Sequence, residues 1–171
     1  MAAKTYLYQP DKKMTKQGAV MTDGDGNTVY EAKMVKQSLI GPMQFEFTNH
    51  LTGKTEPHKV GHTITSETET NGFTNFLSTK SWFKLDGKKV WDFLHGEGIR
   101  IDSGFSSGKL GMTYDVTLKG QPLATLVSTT PGGKSVLTSS QFYNVTAEEK
   151  DLDMAFLVAF AIARTDQAFY S

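Results

Sequence analysis

Two hydrophobic rhythms divide this chain. From about residue 4 to residue 143, apolar side chains come in short bursts that alternate with polar ones. Val, Thr, Tyr and Phe are frequent there, and Gly, Asn and Asp return at short intervals, which is the pattern of strands joined by tight turns. The pattern predicts strands at Lys4–Tyr8, Gly18–Thr22, Thr28–Lys36, Met43–Thr48, His58–Glu67, Phe73–Leu85, Lys89–Leu94, Gly98–Asp102, Leu110–Leu118, Pro122–Thr129 and Ser135–Tyr143. Asp86-Gly87, between Trp82-Phe83-Lys84-Leu85 and Val90-Trp91-Asp92-Phe93, predicts a hairpin whose glycine supplies a positive φ. Asp25-Gly26-Asn27 before Thr28-Val29-Tyr30, and Pro131-Gly132-Gly133 before Val136-Leu137, predict turns in the same way.

Near residue 146 the period changes. Thr146-Ala147-Glu148-Glu149 has the form of a capping box, and Glu148, Glu149, Asp151 and Asp153 suit the positive end of a helix dipole. Met154 to Ala163 then contains no polar side chain. Leu152, Phe156 and Phe160 form one stripe, Met154, Val158 and Ile162 a second, and Ala155, Ala159 and Ala163 a third. A helix without a polar face has to be surrounded. The apolar run spans roughly 15 Å, half of a ~30 Å hydrocarbon core, so the expected surround is protein and no transmembrane span is expected. The strands are the material available to supply it. The expectation is a mainly β fold: a closed antiparallel barrel of about 11–12 strands around a hydrophobic C-terminal helix at about 146–165, in a single domain over residues 1–171. Closure removes exposed strand edges.

Ala19-Val20-Met21-Thr22-Asp23-Gly24-Asp25-Gly26-Asn27-Thr28-Val29-Tyr30 is similar to the recurring unit of the tubby C-terminal superfamily, which includes the LURP-one-related proteins and the phospholipid scramblases. That unit is a strand, a D-x-x-G-N/K turn and a strand ending in V-Y or V-F. Phe45 to Lys54, followed by His58-Lys59-Val60, resembles a variant of it, and the segment from Thr146 to Arg164 resembles the family's final helix. The resemblance implies a closed barrel threaded by its own terminal helix. Within that superfamily, tubby proteins bind phosphoinositides through basic residues on the barrel exterior, scramblases associate with lipid, and many bacterial and plant relatives have no established activity.

Charge and composition narrow the partners. Lys+Arg and Asp+Glu both number 18, so the formal net charge is +0 and no overall field draws the protein to nucleic acid or to an anionic membrane, which leaves only a local patch. There is no cysteine, which removes disulfides, thiolate metal sites and a Cys nucleophile. Met1-Ala2-Ala3-Lys4-Thr5-Tyr6 lacks a secretory-type apolar run, so a cytoplasmic location is expected.

Several motifs fail the context their chemistry needs. Gly104-Phe105-Ser106-Ser107-Gly108 fits G-x-S-x-G, but a strand-like segment follows, and His50, His58, His62 and His95 all precede the serine. Gly133-Lys134-Ser135 lacks the first P-loop glycine, because Ser128 stands there. Asp23, Asp25 and Asn27 occupy calcium-loop positions, but Thr28 and Met34 replace the required Gly and Glu. His58 and His62, four apart in a strand, are separated by roughly 13 Å, too far for one ion. Glu67 and Glu69 read as a solvated strand face. No metal and no cofactor is expected.

One cluster fits a ligand. Lys84, Lys88 and Lys89 flank the Asp86-Gly87 turn beside Trp82 and Trp91, a basic tip with aromatics suited to an anionic headgroup. Lys12, Lys13 and Lys16 form a smaller group. The reading is a non-enzymatic binding module for an anionic lipid headgroup or small ligand. Two alternatives stand beside it: an enzyme whose site is assembled from distant strands with His50, His62 or His95 as acid–base, and a self-associating structural protein.

Overall fold

The computed structural model describes residues 2–11, 18–36, 42–71, 74–105, 112–129 and 142–170, without the side chains of 10, 11, 62–71, 74–83, 103–105, 112 and 164–170. Eleven strands form one antiparallel sheet: β1 (Lys4–Asp11), β2 (Gly18–Thr22), β3 (Thr28–Lys36), β4 (Met43–Asn49), β5 (Lys54–Asn71), β6 (Thr74–Leu85), β7 (Lys88–Lys89), β8 (Ile99–Phe105), β9 (Met112–Leu118), β10 (Gln121–Ser128) and β11 (Tyr143–Ala147). Two helices complete the fold, α1 (Val90–Gly96) and α2 (Leu152–Tyr170). The spatial order is β7-β6-β5-β4-β3-β2-β1-β11-β10-β9-β8. Two hairpin-linked runs are thus joined where β11 returns beside β1, with Tyr6 opposite Val145.

The sheet is not closed into a barrel, contrary to the expectation from sequence. It ends at β7 and β8. The stretch Lys89–Leu94 was expected as a strand, but from Val90 onward it is helical, and a helix cannot extend a ladder. Val90 and Leu94, four residues apart, both point into the core, while Trp91 and Phe93 pack partly against it. The alternation Val90-Trp91-Asp92-Phe93 satisfies a strand over four positions, whereas the pair Val90 and Leu94 satisfies a helix over five. Burial of that pair decides between them. α1 lies against β6, β7 and β8, so it stands between the two ends of the sheet.

The buried helix is present as expected. Every residue from Ala155 to Ala163 is buried. Phe156 stacks on Tyr30 of β3 at 4.4 Å and meets Tyr8 of β1 at 5.4 Å and Phe47 of β4 at 5.6 Å. Phe160 packs edge-on against Phe45 and Phe47. α2 also lies along β6, β10 and β11, so strands from both halves of the sheet cover it. The sheet's curvature is aided by register shifts at Met21/Thr22, Met34/Lys36 and Pro122/Ala124, since bulges bend and twist a strand. The shift in β3 skips Val35 in the pairing with β4, and its side chain is exposed. Among the described residues, no helix is long and apolar enough to cross a membrane.

The start of α2 differs from the sequence expectation. Thr146 is not a helix cap. It sits in β11, and its hydroxyl shares a hydrogen bond with that of Thr5 at 3.0 Å. A 3-10 turn at Glu149–Asp151 follows, without a side-chain cap, and α2 begins at Leu152. The ladder to β1 and β10 carries residues 143–147, and strand pairing overrides the local capping signal. The predicted strand Ser135–Tyr143 lies outside the described residues except at its end, as do the Pro131-Gly132-Gly133 turn, Gly133-Lys134-Ser135, Ser106 to Gly108, and Lys12, Lys13 and Lys16.

Phe156 contacts three strands, so Phe156→Ala is expected to cost about 3–5 kcal/mol. Denaturant unfolding followed by tyrosine and tryptophan fluorescence measures it. A loss below about 1 kcal/mol contradicts the wrapped-helix core.

Candidate functional site

The β6–β7 hairpin is set by its two turn residues. Leu85 pairs with Lys88, leaving only Asp86 and Gly87 between the strands. Their φ values are 51° and 85°, the doubly left-handed geometry of a type I′ turn. Aspartate tolerates this region better than most side chains, and glycine enters it without cost. The sequence expectation for this turn therefore holds, but its returning strand is only two residues long.

Asp86 does more than turn the chain. Its backbone N–H donates to the Lys59 carbonyl at 2.8 Å, and its Oδ1 accepts from the Lys59 N–H at 2.8 Å. Its Oδ2 meets His58 Nδ1 at 2.8 Å. His58 is mostly covered, with 14% of its side chain exposed, and its ring packs edge-on against Phe47 at 4.7 Å. The second ring nitrogen faces Glu56 Oε2 at 3.8 Å, and the other oxygen of Glu56 is bound by Lys54 Nζ at 2.7 Å. The polar partners of this imidazole are therefore carboxylates. Phe47 leads directly to Phe156 and Phe160, so the turn is braced against the central helix.

Register then gathers lysines. Lys84 lies directly across from Lys89. Val60 and Leu85, opposite each other, are completely buried, so by alternation Lys59 and Lys84 share the outward face. Lys59 is opposite Gln44, which is opposite Lys36. Lys36, Lys59, Lys84, Lys88 and Lys89 are all exposed. The rows Lys36–Gln44–Lys59 and Lys84–Lys89 are roughly 7 Å apart along the strands. Among the described residues, Lys36, Lys59, Lys84 and Lys88 form no salt bridge. The acidic side chain of the turn, Asp86, is bonded to His58 and the Lys59 backbone.

Of the residues expected from sequence, Lys84, Lys88 and Lys89 do gather at one tip. Trp91 lies in α1, half-buried against the core. Trp82 lies in β6 opposite Thr63, and its side chain is outside the description. Lys59 and Lys36 come from other strands. Nothing in their spacing along the chain marks them, because only pairing of β3, β4, β5 and β6 brings them into line. Of the histidines, His50 is exposed and pairs with Glu31 at 2.9 Å, His95 is exposed on α1, and the side chain of His62 is outside the description.

The Asp23 turn is built from its own polar groups. Asp23 Oδ1 accepts the N–H groups of Asn27 and Asp25 at 2.9 and 3.0 Å. The Asn27 N–H is the chief cause holding the Asp23 carboxyl below its ordinary pKa. Among the described residues, no cluster of three His, Asp or Glu side chains is arranged to hold a metal ion.

A second polar centre secures α2. Asn49 is buried; its Nδ2 donates to Asp153 Oδ1 at 3.2 Å, and its Oδ1 accepts from the Leu51 and Thr52 N–H groups. Burial, and then a hydrogen bond to Asp153, push the Tyr30 phenol well above its ordinary pKa of 10.0. Its neighbours are Phe156 and the start of the helix, which marks this centre as an anchor for the core.

Comparison with known protein families, curated proteins and solved structures yields no match to this chain.

The raised Tyr30 value has a signed consequence. Above about pH 10 the unfolded chain releases this proton while the folded chain retains it, so stability is present below that pH and falls as pH rises beyond it. Unfolding free energies measured from about pH 9 to 11 are expected to fall less steeply in Tyr30→Phe than in the unaltered protein. An identical slope contradicts a protected phenol.

Proposed function

We propose that this chain is a non-enzymatic binding module that takes an anionic lipid headgroup on the β6–β7 face. Lys84 and Lys89 are the central contacts, Lys59 and Lys36 extend them, and Lys88 stands at the tip. One observation carries the reading: strand pairing brings the exposed Lys36, Lys59 and Lys84 onto one outward face, next to Lys89. The turn beside them is clamped by three hydrogen bonds of Asp86, two with the Lys59 backbone and one with His58. An anion at this face meets the exposed Lys84 ammonium. It also joins the second row, because Lys59 is adjacent on the same face. An exposed sheet surface suits a planar array of phosphates, whose attraction is about 1 kcal/mol per lysine near the surface.

We also propose that the chain is related to the tubby-like proteins, with its sheet left open between β7 and β8. The sequence unit Ala19–Tyr30 and the apolar terminal helix support this reading.

Co-sedimentation with phosphatidylcholine vesicles, with and without phosphatidylglycerol, tests the binding. Retention at low salt only on the anionic vesicles is expected, weakening as salt screens the charges. The double variant Lys84→Gln/Lys89→Gln is expected to bind about thirtyfold more weakly. Inorganic phosphate that competes as well as the vesicles points to a free phosphate ligand in place of a headgroup. Absence of binding to every vesicle composition at low salt refutes the proposal.

A further inference from the structure

We infer that Val35 is the apolar contact through which the basic β6–β7 face meets a bilayer, so that the anion bound there is carried by a membrane surface; the inference rests on the anion-binding reading above and names the source of that anion. Among the described residues two large apolar side chains are exposed, Val35 and Leu51, each at 48%. Singly exposed apolar residues are ordinary, and position decides whether one of them matters. Leu51 lies in the turn after β4, at the end of that strand away from Gln44. Val35 lies next to Lys36, in the row that continues through Gln44 to Lys59.

A β-bulge makes this placement. Met34 is opposite Phe45 and Lys36 is opposite Gln44, so Val35 is an extra residue between two ladder positions. In a regular ladder Val35 would stand opposite Gln44, and Lys36 would fall opposite Met43, which is buried. The extra residue instead puts Lys36 on the outward face with Gln44 and Lys59, and Val35 is exposed immediately before it. Regular alternation forbids a valine and a lysine that are neighbours in sequence from sharing one solvent face, and the bulge permits it. The next outward row, Lys33–Glu46–Pro57, carries one charge of each sign, so the basic area ends beside Val35. A free phosphate ion satisfies the lysines and gains nothing from the valine. An anionic bilayer satisfies both, with its phosphates at the lysines and the boundary of its acyl chains at Val35.

Vesicles of phosphatidylcholine with phosphatidylglycerol are the probe. Val35→Thr keeps the β-branch and the strand preference of valine and exchanges a methyl group for a hydroxyl. It is expected to bind these vesicles about fivefold more weakly than the unaltered protein, the size that losing the burial of about half a valine side chain gives. Leu51→Thr is expected to bind as the unaltered protein does. The loss in Val35→Thr is expected to be equal at low and moderate salt, because salt screens charges and leaves apolar burial in place. The chain has no cysteine, so Val35→Cys and Leu51→Cys can each carry a single environment-sensitive fluorophore. On vesicle binding the emission is expected to shift to the blue from Val35→Cys and to stay unchanged from Leu51→Cys; inorganic phosphate in place of vesicles is expected to shift neither. The fluorophore reads contact with the apolar layer directly, whatever the affinity of the threonine variant. Undiminished binding by Val35→Thr, an equal loss in Leu51→Thr, or bound vesicles without a shift from Val35→Cys overturns this inference and leaves the anion site standing. Failure of the unaltered protein to bind any anionic vesicle at low salt overturns both.

Discussion

The structure depends on one constraint: the stretch Ala155–Ala163 of α2 has no polar face. From Ala155 to Ala163 every side chain is apolar and buried. Exposing one flank of such a helix to water costs about 25 cal/mol for each Å² of apolar surface. The lowest free energy is reached when strands cover all flanks. β1, β3 and β4 supply the aromatic side, through Tyr8, Tyr30, Phe45 and Phe47. β6, β10 and β11 cover other parts of the helix. A flat sheet cannot do this, and the three register shifts are where the ladder gives way to curvature. The N-terminal end of the helix is then fastened by polar groups, since Asp153 joins Asn49 of β4 and Tyr30 of β3.

The same constraint positions the basic face. Phe47 lies between the helix and the imidazole of His58, and His58 holds Asp86. A turn at the sheet's end is thereby tied to the core through one aromatic and one histidine. Rigid support beneath the exposed lysines suits the binding role proposed for this face, because a backbone fixed before a ligand arrives reduces the entropy lost on binding. The open end of the sheet has a related cause. α1 buries Val90 and Leu94 where another strand would have extended the ladder, and it covers the space between β6 and β8 without hydrogen-bonding to either as a strand.

The residues of the hairpin tip were legible along the chain because they are neighbours in it: Lys84, Asp86, Gly87, Lys88 and Lys89 lie within six positions. The larger face was not. Lys59 and Lys36 join it through the pairing of four strands, and a slip of one residue in any of those pairings moves a lysine to the other face. His58 was legible as a histidine in a strand that cannot share an ion with His62. Its bond to Asp86 depends on β5 and β6 meeting at Val60 and Leu85, a distance along the chain that no local pattern encodes.

By itself the sequence determined the mainly β character, the Asp86-Gly87 turn and the burial of the terminal helix, because periodicity, turn chemistry and apolar run length act over a few residues. Tertiary structure alone decided that Val90 to Gly96 coils instead of extending, that Thr146 pairs in a strand instead of capping a helix, and that the sheet stays open. In each case two local conformations were close in free energy. Contacts distant in sequence, namely the core around Leu94 and the ladders to β1 and β10, supplied the difference.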